Sequence, residues 1–211
     1  MEEKFKLYRE LLLSWNEKMN LTAITDPDEI WTKHFSDSLS CAPFIPNGAS
    51  VVDVGTGAGF PGLPLKIARP DIKLTLMDSL SKRIRFLEEV ISRLDADARC
   101  VHIRAEDAGR KPEFREVFDI AVSRAVANMT ILAEYCLPLV KIGGLMLAMK
   151  GSNIEEELQN ASDLIGKLGG KVLRIHRYTI EGTDIAHSIV IIEKTEKTPS
   201  QYPRSTKKIL K

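Results

Sequence analysis

The stretch Val51-Val52-Asp53-Val54-Gly55-Thr56-Gly57-Ala58-Gly59-Phe60-Pro61-Gly62-Leu63-Pro64 constrains the fold more than any other part of the chain. Its valine-rich start reads as a buried strand, and glycines at alternate positions then impose a tight turn. Leu63-Pro64-Leu65-Lys66-Ile67-Ala68 reads as the opening of a helix, with proline tolerated only in its first turn. Strand, glycine loop and helix make a ligand cradle. Backbone without Cβ atoms admits a close ligand, and the helix N-terminus points free N–H groups at it. Two registers compete for these glycines. Gly57, Gly59 and Gly62 fit G-x-G-x-x-G, the dinucleotide fingerprint of a NAD-dependent oxidoreductase. Gly55, Gly57 and Gly59 fit D-x-G-x-G-x-G, with Asp53 inside the strand. The second is preferred because it starts the turn directly after the last valine. The first would place Phe60 and Pro61 where the helix should open.

At 211 residues the chain suits a single domain able to bury roughly 70% of its unfolded surface. A content of 44% hydrophobic and 28% charged residues is that of an ordinary globular protein, and the net charge of +1 names no partner. No apolar run is long enough to span a membrane, and Met1-Glu2-Glu3-Lys4 does not open a signal peptide. Cys41, Cys100 and Cys136 are scattered, which predicts a reducing compartment, the cytoplasm, and neither a disulfide framework nor a metal site.

Phe5, Tyr8, Leu11, Leu12, Trp15 and Met19 recur at helical spacing. A second helix is announced by Asp26-Pro27-Asp28-Glu29, an N-cap, a proline at N1 and an acid closing a capping box. It carries Ile30, Phe35 and Leu39 inward and stops before Pro43. Residues 1–48 therefore read as an N-terminal helical extension. From Ser50 strands and helices alternate, which predicts a mostly parallel sheet with helices on both faces, an α/β domain over 49–194. Its strands are expected at Val51–Val54, Lys73–Met77, Ala98–Ile103, Phe118–Val122 and Leu145–Met149, the last reached through a Gly143-Gly144 loop. A helix over Ile154–Leu168 stops at Gly169-Gly170, and Val172–Thr179 with Ser188–Glu193 forms a closing antiparallel hairpin. Residues 195–211 read as a solvated basic tail suited to nucleic acid.

In such a sheet the ligand lies beyond the strand carboxyl ends. There the sequence gathers the glycine loop, Asp78, Ala105-Glu106 and Ser123-Arg124. Asp78 can accept both hydroxyls of a ribose, or cap the next helix. His34, Asp37 and Ser38 share one helical face. A hydrolase triad is disfavoured, since no G-x-S-x-G is present, and a polar face beside the cleft is the better reading. Lys150, beyond the fifth strand, reads as solvated or RNA-facing.

Asp53–Gly59 resembles the first motif of S-adenosylmethionine (SAM)-dependent methyltransferases. Further segments widen the likeness to nearly the whole chain: Trp15-Asn16 with Asn20-Leu21-Thr22, His34-Phe35 with Asp37-Ser38-Leu39, Asp78-Ser79 with Lys82-Arg83 and Phe86-Leu87, Ala105-Glu106, Arg124-Ala125-Val126, and Tyr202-Pro203-Arg204. Together they resemble the bacterial small-subunit (16S) ribosomal RNA guanine-N7 methyltransferases, also called the glucose-inhibited division protein B family. The resemblance implies a Rossmann-like class I methyltransferase fold with a seven-stranded sheet, SAM as cofactor, and small-subunit ribosomal RNA or the 30S particle as partner. Its usual cofactor contacts fall here on Gly55, Phe60, Ala105, Glu106 and Arg124, beside Gly57, Gly59 and Asp78 of the cradle. Arg124 is the candidate for orienting cofactor or RNA, and His34, Asp37, Ser38, Lys150 and Arg204 are candidates for the RNA. The tail departs from the family pattern, ending early in Ser205-Thr206-Lys207-Lys208.

Absences agree with that chemistry. The cysteines follow serine, arginine and tyrosine, not the proline or threonine common before a pyrimidine C5 nucleophile. Ser123-Arg124-Ala125-Val126 stands where amine methylation would bring Asn/Asp-Pro-Pro-aromatic. Guanine N7 carries no proton, so transfer to it needs an in-line approach and no base. A monomer is expected. The alternatives are the oxidoreductase and a catalytically silent RNA-binding protein.

Overall fold

In the computed structural model residues 1–209 are described. One seven-stranded sheet organises them. Strands β1 (Ser50–Val54), β2 (Lys73–Asp78), β3 (Ala98–His102), β4 (Phe118–Arg124) and β5 (Val140–Gly151) run parallel. Strand β7 (Ala186–Lys194) is antiparallel to both β5 and β6 (Gly170–Thr179), which is the closing hairpin expected from the sequence. The strand order is β3-β2-β1-β4-β5-β7-β6.

Each face of the sheet carries its own apolar cluster. On one, helices α1 (Glu2–Asn16), α4 (Gly62–Ala68) and α5 (Ser81–Leu94) pack Tyr8, Leu12, Leu63 and Leu87 over Val51 and Leu76. On the other, α6 (Ala105–Ala108), α7 (Met129–Cys136) and α8 (Glu155–Lys167) cover Val52, Val54 and Met146 with Leu132, Ala133 and Ile165. The alternation follows from the strand period of two in a sheet buried on both sides. The N-terminal helices share the first cluster and are part of the same core.

Three expectations are corrected. The Gly143-Gly144 pair is not a loop before the fifth strand but lies within β5. The pairing jumps there from Phe118–Val140 to Ile120–Leu145, and Gly143 sits at φ +82°, so the glycines absorb an irregularity in the ladder. Helix α1 ends at Asn16, short of Met19, because the Asn16 side chain accepts the amides of Leu21 and Thr22 at 2.7 and 2.9 Å and turns the chain. The second helix is not regular: α2 (Pro27–Ile30) widens into a π-helix over Trp31–Ser36 before α3 (Asp37–Leu39). Its capping box is half built. Asp26 accepts the Asp28 and Glu29 amides, both at 3.0 Å, while Glu29 takes Lys33 Nζ at 2.6 Å.

Among the described residues no helix is long and apolar enough to cross a membrane.

Candidate cofactor cleft and arginine hub

The glycine loop follows the D-x-G-x-G-x-G register. Strand β1 ends at Val54, and Gly55, Gly57 and Gly59 all have positive φ, at +68°, +60° and +98°. The dinucleotide register would carry the strand through Thr56 and is not the one built. Gly62 instead opens α4, pressed against Asp53: a Cβ there would stand 2.8 Å from Asp53 Oδ2. Asp53, fully buried, organises the loop. Its Oδ2 accepts the Thr56 hydroxyl at 2.6 Å and the Gly62 amide at 2.8 Å, and Oδ1 has no partner. Burial lifts its carboxyl from the ordinary 3.8 to about 6. Tyr8 of α1 donates its hydroxyl to the Ala58 carbonyl, so the N-terminal helix holds the loop from outside.

Beside the loop a cavity of about 350 Å³ is lined by Gly55, Asp78, Ile103, Ala105, Glu106 and Val126, with Arg83 and Tyr135 among its other walls. Asp78 ends β2 with 2% exposure; Oδ2 accepts the Gly57 amide at 3.0 Å and Arg83 at 3.3 Å. Oδ1 accepts the Leu80 amide at 2.9 Å, a local turn one step before α5 starts at Ser81. Asp78 thus ties the glycine loop to the next helix without being the α5 N-cap. Arg83, in one of the segments that carry the family resemblance, lines the cavity and reaches Asp78. Two buried carboxylates beside apolar walls and a loop whose Gly55 Cβ would strike Val126 at 2.7 Å fit a nucleoside carrying ribose hydroxyls and an amino group. Of the candidate cofactor residues, Gly55, Asp78, Ala105 and Glu106 line this cavity, while Gly57, Gly59, Phe60 and Arg124 lie outside its lining.

At the far side Arg124 closes a hub. Its Nη1 donates to Asp37 Oδ2 at 2.7 Å and to the Lys33 and His34 carbonyls, each at 3.3 Å, and its guanidinium lies 5.0 Å from the Phe60 ring centre. Asp37, 1% exposed, also accepts Tyr178 OH at 2.7 Å and lies 2.9 Å from His187 Nδ1. The π-helix is what serves Arg124, since its carbonyls and Asp37 converge on one guanidinium. Ala125, the next residue, holds φ +56°. His34 stacks on Phe60 at 4.5 Å, with Nε2 2.8 Å from Thr22 Oγ1. Burial, helped by the Arg124 charge, lowers its pKa from 6.5 to about 4, so the ring is neutral at pH 7.

The remaining candidates are engaged elsewhere. Ser38 donates to the His34 carbonyl at 2.5 Å, not to a ring nitrogen, so no triad is assembled. Lys150 is neither solvated nor free for RNA: Nζ donates to the Ala127 carbonyl and to Glu157, both at 2.6 Å. Arg204 is turned inward, its Nη2 2.7 Å from Glu134, a carboxylate with 0% exposure. The tail is docked accordingly, and its last two positions, 210–211, lie outside the described residues.

Sequence reasoning missed Tyr8, Tyr178, His187 and Glu134. Tyr8 reads as an apolar position of the first helix, and Tyr178 lies unremarked within the closing hairpin; the roles of both rest on their hydroxyls.

Comparison with known proteins bears on this geometry. M. jannaschii TYW2, solved in complex with AdoMet, superposes with a TM-score of 0.60 at 15% identity, over 76% of each chain. TrmN from Thermus thermophilus gives 0.54 at 18% identity over 74% of this chain and 47% of its own. Both show the fold alone. The protein from Clostridium perfringens named ribosomal RNA small subunit methyltransferase G is 52% identical over 99% of this chain and 90% of its own length. Its namesake from Alkaliphilus metalliredigens is 51% identical, over 93% and 84%. The family described as rRNA small subunit methyltransferase G (GidB) matches residues 1–186, and the chain belongs to that family of SAM-dependent methyltransferases.

Proposed function

We propose that the protein transfers the methyl group of SAM to N7 of a guanine in 16S ribosomal RNA, acting in the cytoplasm as a monomer on the RNA or the 30S particle. The observation that carries this reading is the cavity at the strand carboxyl ends, where Gly55, Asp78 and Glu106 share walls with the loop that follows Arg124.

When bound, SAM supplies an electrophilic methyl on a sulfonium. Asp78 and Glu106 offer acceptors for ribose hydroxyls and the adenine amino group, and Ile103 and Val126 give apolar walls. N7 presents a lone pair without a proton, so positioning replaces acid–base work. The nearby groups suit that economy. His34 is neutral with both ring nitrogens near partners, and Ser38 is spent on its own helix. Burial pushes the Cys41 and Cys136 thiols far up and Cys100 up to about 12, so none offers a thiolate. Arg124 is neutralised by Asp37, and the pair adds no net cation beside a guanine that becomes positive on methylation.

Calorimetry with SAM and with NAD is the first test; binding of NAD alone would restore the oxidoreductase. Tritiated methyl incorporation into small subunits from a deletion strain is the second, and its absence despite SAM binding would favour a silent RNA-binding protein. Primer extension after borohydride–aniline cleavage locates the modified guanine.

A further inference from the structure

Beyond β7 the chain returns across the α6–α7 side of the sheet as a laced strap. Arg115 donates to the carbonyls of Thr198, Pro199 and Tyr202, and Arg110 donates twice to that of Pro203. Glu116 accepts the Thr198 amide at 2.7 Å. Arg204 then gives its amide and guanidinium to the buried Glu134. These anchors fix the position of the short helix α9 (Thr206–Ile209), whose Ile209 is 7% exposed.

Thr206 donates its hydroxyl to Glu106 Oε1. Glu106 lines the cofactor cavity at 3% exposure. Its charged neighbour Arg104 stands 4.0 Å away on a side chain 59% exposed, too far for a hydrogen bond. Among the described residues Thr206 is therefore the sole hydrogen-bond donor to this carboxylate. Among the described residues no group donates a hydrogen bond to Oε2.

We propose that Thr206 is a positioning residue of the cofactor site: occupying Oε1, it fixes the Glu106 rotamer and leaves Oε2 to the ligand. The C-terminal strap then completes the SAM cleft from outside the sheet and is not an arm for RNA. A carboxylate without its one donor recovers rotamer freedom that binding must remove again. Lysines 207 and 208 give the segment its basic character, but the bond to the cleft is made by the hydroxyl.

The test is Thr206→Val, which keeps the shape and removes the donor, beside Thr206→Ser, which restores it. Thr206→Val should weaken SAM binding about five- to tenfold by calorimetry, the scale of ordering one side chain on binding. KM for SAM should rise by the same factor with kcat and KM for RNA unchanged, and Thr206→Ser should return to within about twofold of the parent. The inference rests on Glu106 facing the cofactor, so Glu106→Gln is measured in parallel. Weaker binding in Glu106→Gln with unchanged binding in Thr206→Val overturns the role of Thr206 alone. Unchanged binding in both overturns the placement of Glu106 and the inference with it. A rise in KM for RNA at constant SAM affinity also overturns it, in favour of a tail that meets the substrate.

Discussion

Asp53, behind the glycine loop, and Asp37, in the Arg124 hub, are both buried carboxylates, and they are held in opposite ways. Asp53 accepts a hydroxyl and an amide from residues three and nine positions away in the sequence. Asp37 is served by Arg124, Tyr178 and His187, at separations of 87, 141 and 150 residues. The first is a local device: one strand, one turn and one helix start suffice to build it. The second exists only when the π-helix, β4 and the β6–β7 hairpin have all docked. One carboxylate takes its hydrogen bonds from a hydroxyl and an amide, the other from a guanidinium held among helix carbonyls, a tyrosine and a histidine. The hydrogen bonds of Asp37 thus draw on the whole chain, and those of Asp53 on a single segment.

That contrast predicts where mutation bites hardest. Asp37→Ala leaves the Arg124 guanidinium, on a side chain 13% exposed, without its carboxylate. Removing one partner of such a pair costs about 4 kcal/mol, a large part of a domain's whole stability. Urea unfolding should show it as a lowered midpoint, with loss of methyl transfer. Asp53→Asn keeps an oxygen for Thr56 and Gly62 and should cost less. A larger loss in Asp53→Asn than in Asp37→Ala would break the comparison.

The two regions also titrate against each other. Asp53, lifted from 3.8 to about 6, leaves the folded state holding more protons across that span, so its contribution to stability falls as pH rises. His34, lowered from 6.5 to about 4, does the reverse: the unfolded state holds the extra proton, and stability grows as pH rises. Each effect amounts to roughly 3 kcal/mol and they nearly cancel between about pH 4 and 6. Unfolding free energies of Asp53→Asn should climb with pH over this range, and those of His34→Gln should fall. Parallel slopes in the two variants would show that neither group titrates as its surroundings dictate.

The same division separates what the sequence made legible from what it did not. Val51–Val54, the glycine register and the closing hairpin follow from period and adjacency, and the strand expected at Lys73–Met77 is built as Lys73–Asp78. Asp78 and Glu106 were placed at the cleft by position alone, as residues just past strand ends. The fates of the cations were not legible. Lys150 and Arg204 read as surface charge because Glu157 and Glu134, their partners, sit on helices whose acids also look solvated. Nor does any local pattern announce that Trp31–Ser36 widens into a π-helix, since that widening answers to Arg124, far along the chain. The tail misled for the same reason: its lysines are visible in the sequence, while the arginines that lace it lie 83 to 93 residues earlier.

Within the cradle, glycines that look alike should differ. A Cβ on Gly59 would meet Tyr8 OH at 2.5 Å and Leu63 at 2.6 Å, at φ +98°. At Gly57 it would meet nothing within 4 Å, so only the φ of +60° penalises a side chain. Gly59→Ala should therefore destabilise by about 2–3 kcal/mol, from overpacking on top of backbone strain, and Gly57→Ala by about 1 kcal/mol. Thermal melts of the two single variants decide it. Equal losses would mean that conformational preference, not the close approach of α1, is what the second glycine serves.

The smallest effect isolates a purely local device at the start of the helix that leads into the hub. Asp26 accepts two amides of α2 at 3.0 Å, and Asp26→Ala should cost about 1 kcal/mol. Glu29 contributes only an exposed i,i+4 pair with Lys33, so Glu29→Gln should cost under about 0.5 kcal/mol and less still in high salt. Because the cap fixes the first turn of the segment that carries His34 and Asp37, its loss should loosen the hub as well. Amide exchange separates the two levels. In Asp26→Ala, faster exchange confined to residues 28–30 marks a local cap, whereas faster exchange reaching Asp37 and Arg124 means that the hub draws on the turn that precedes it.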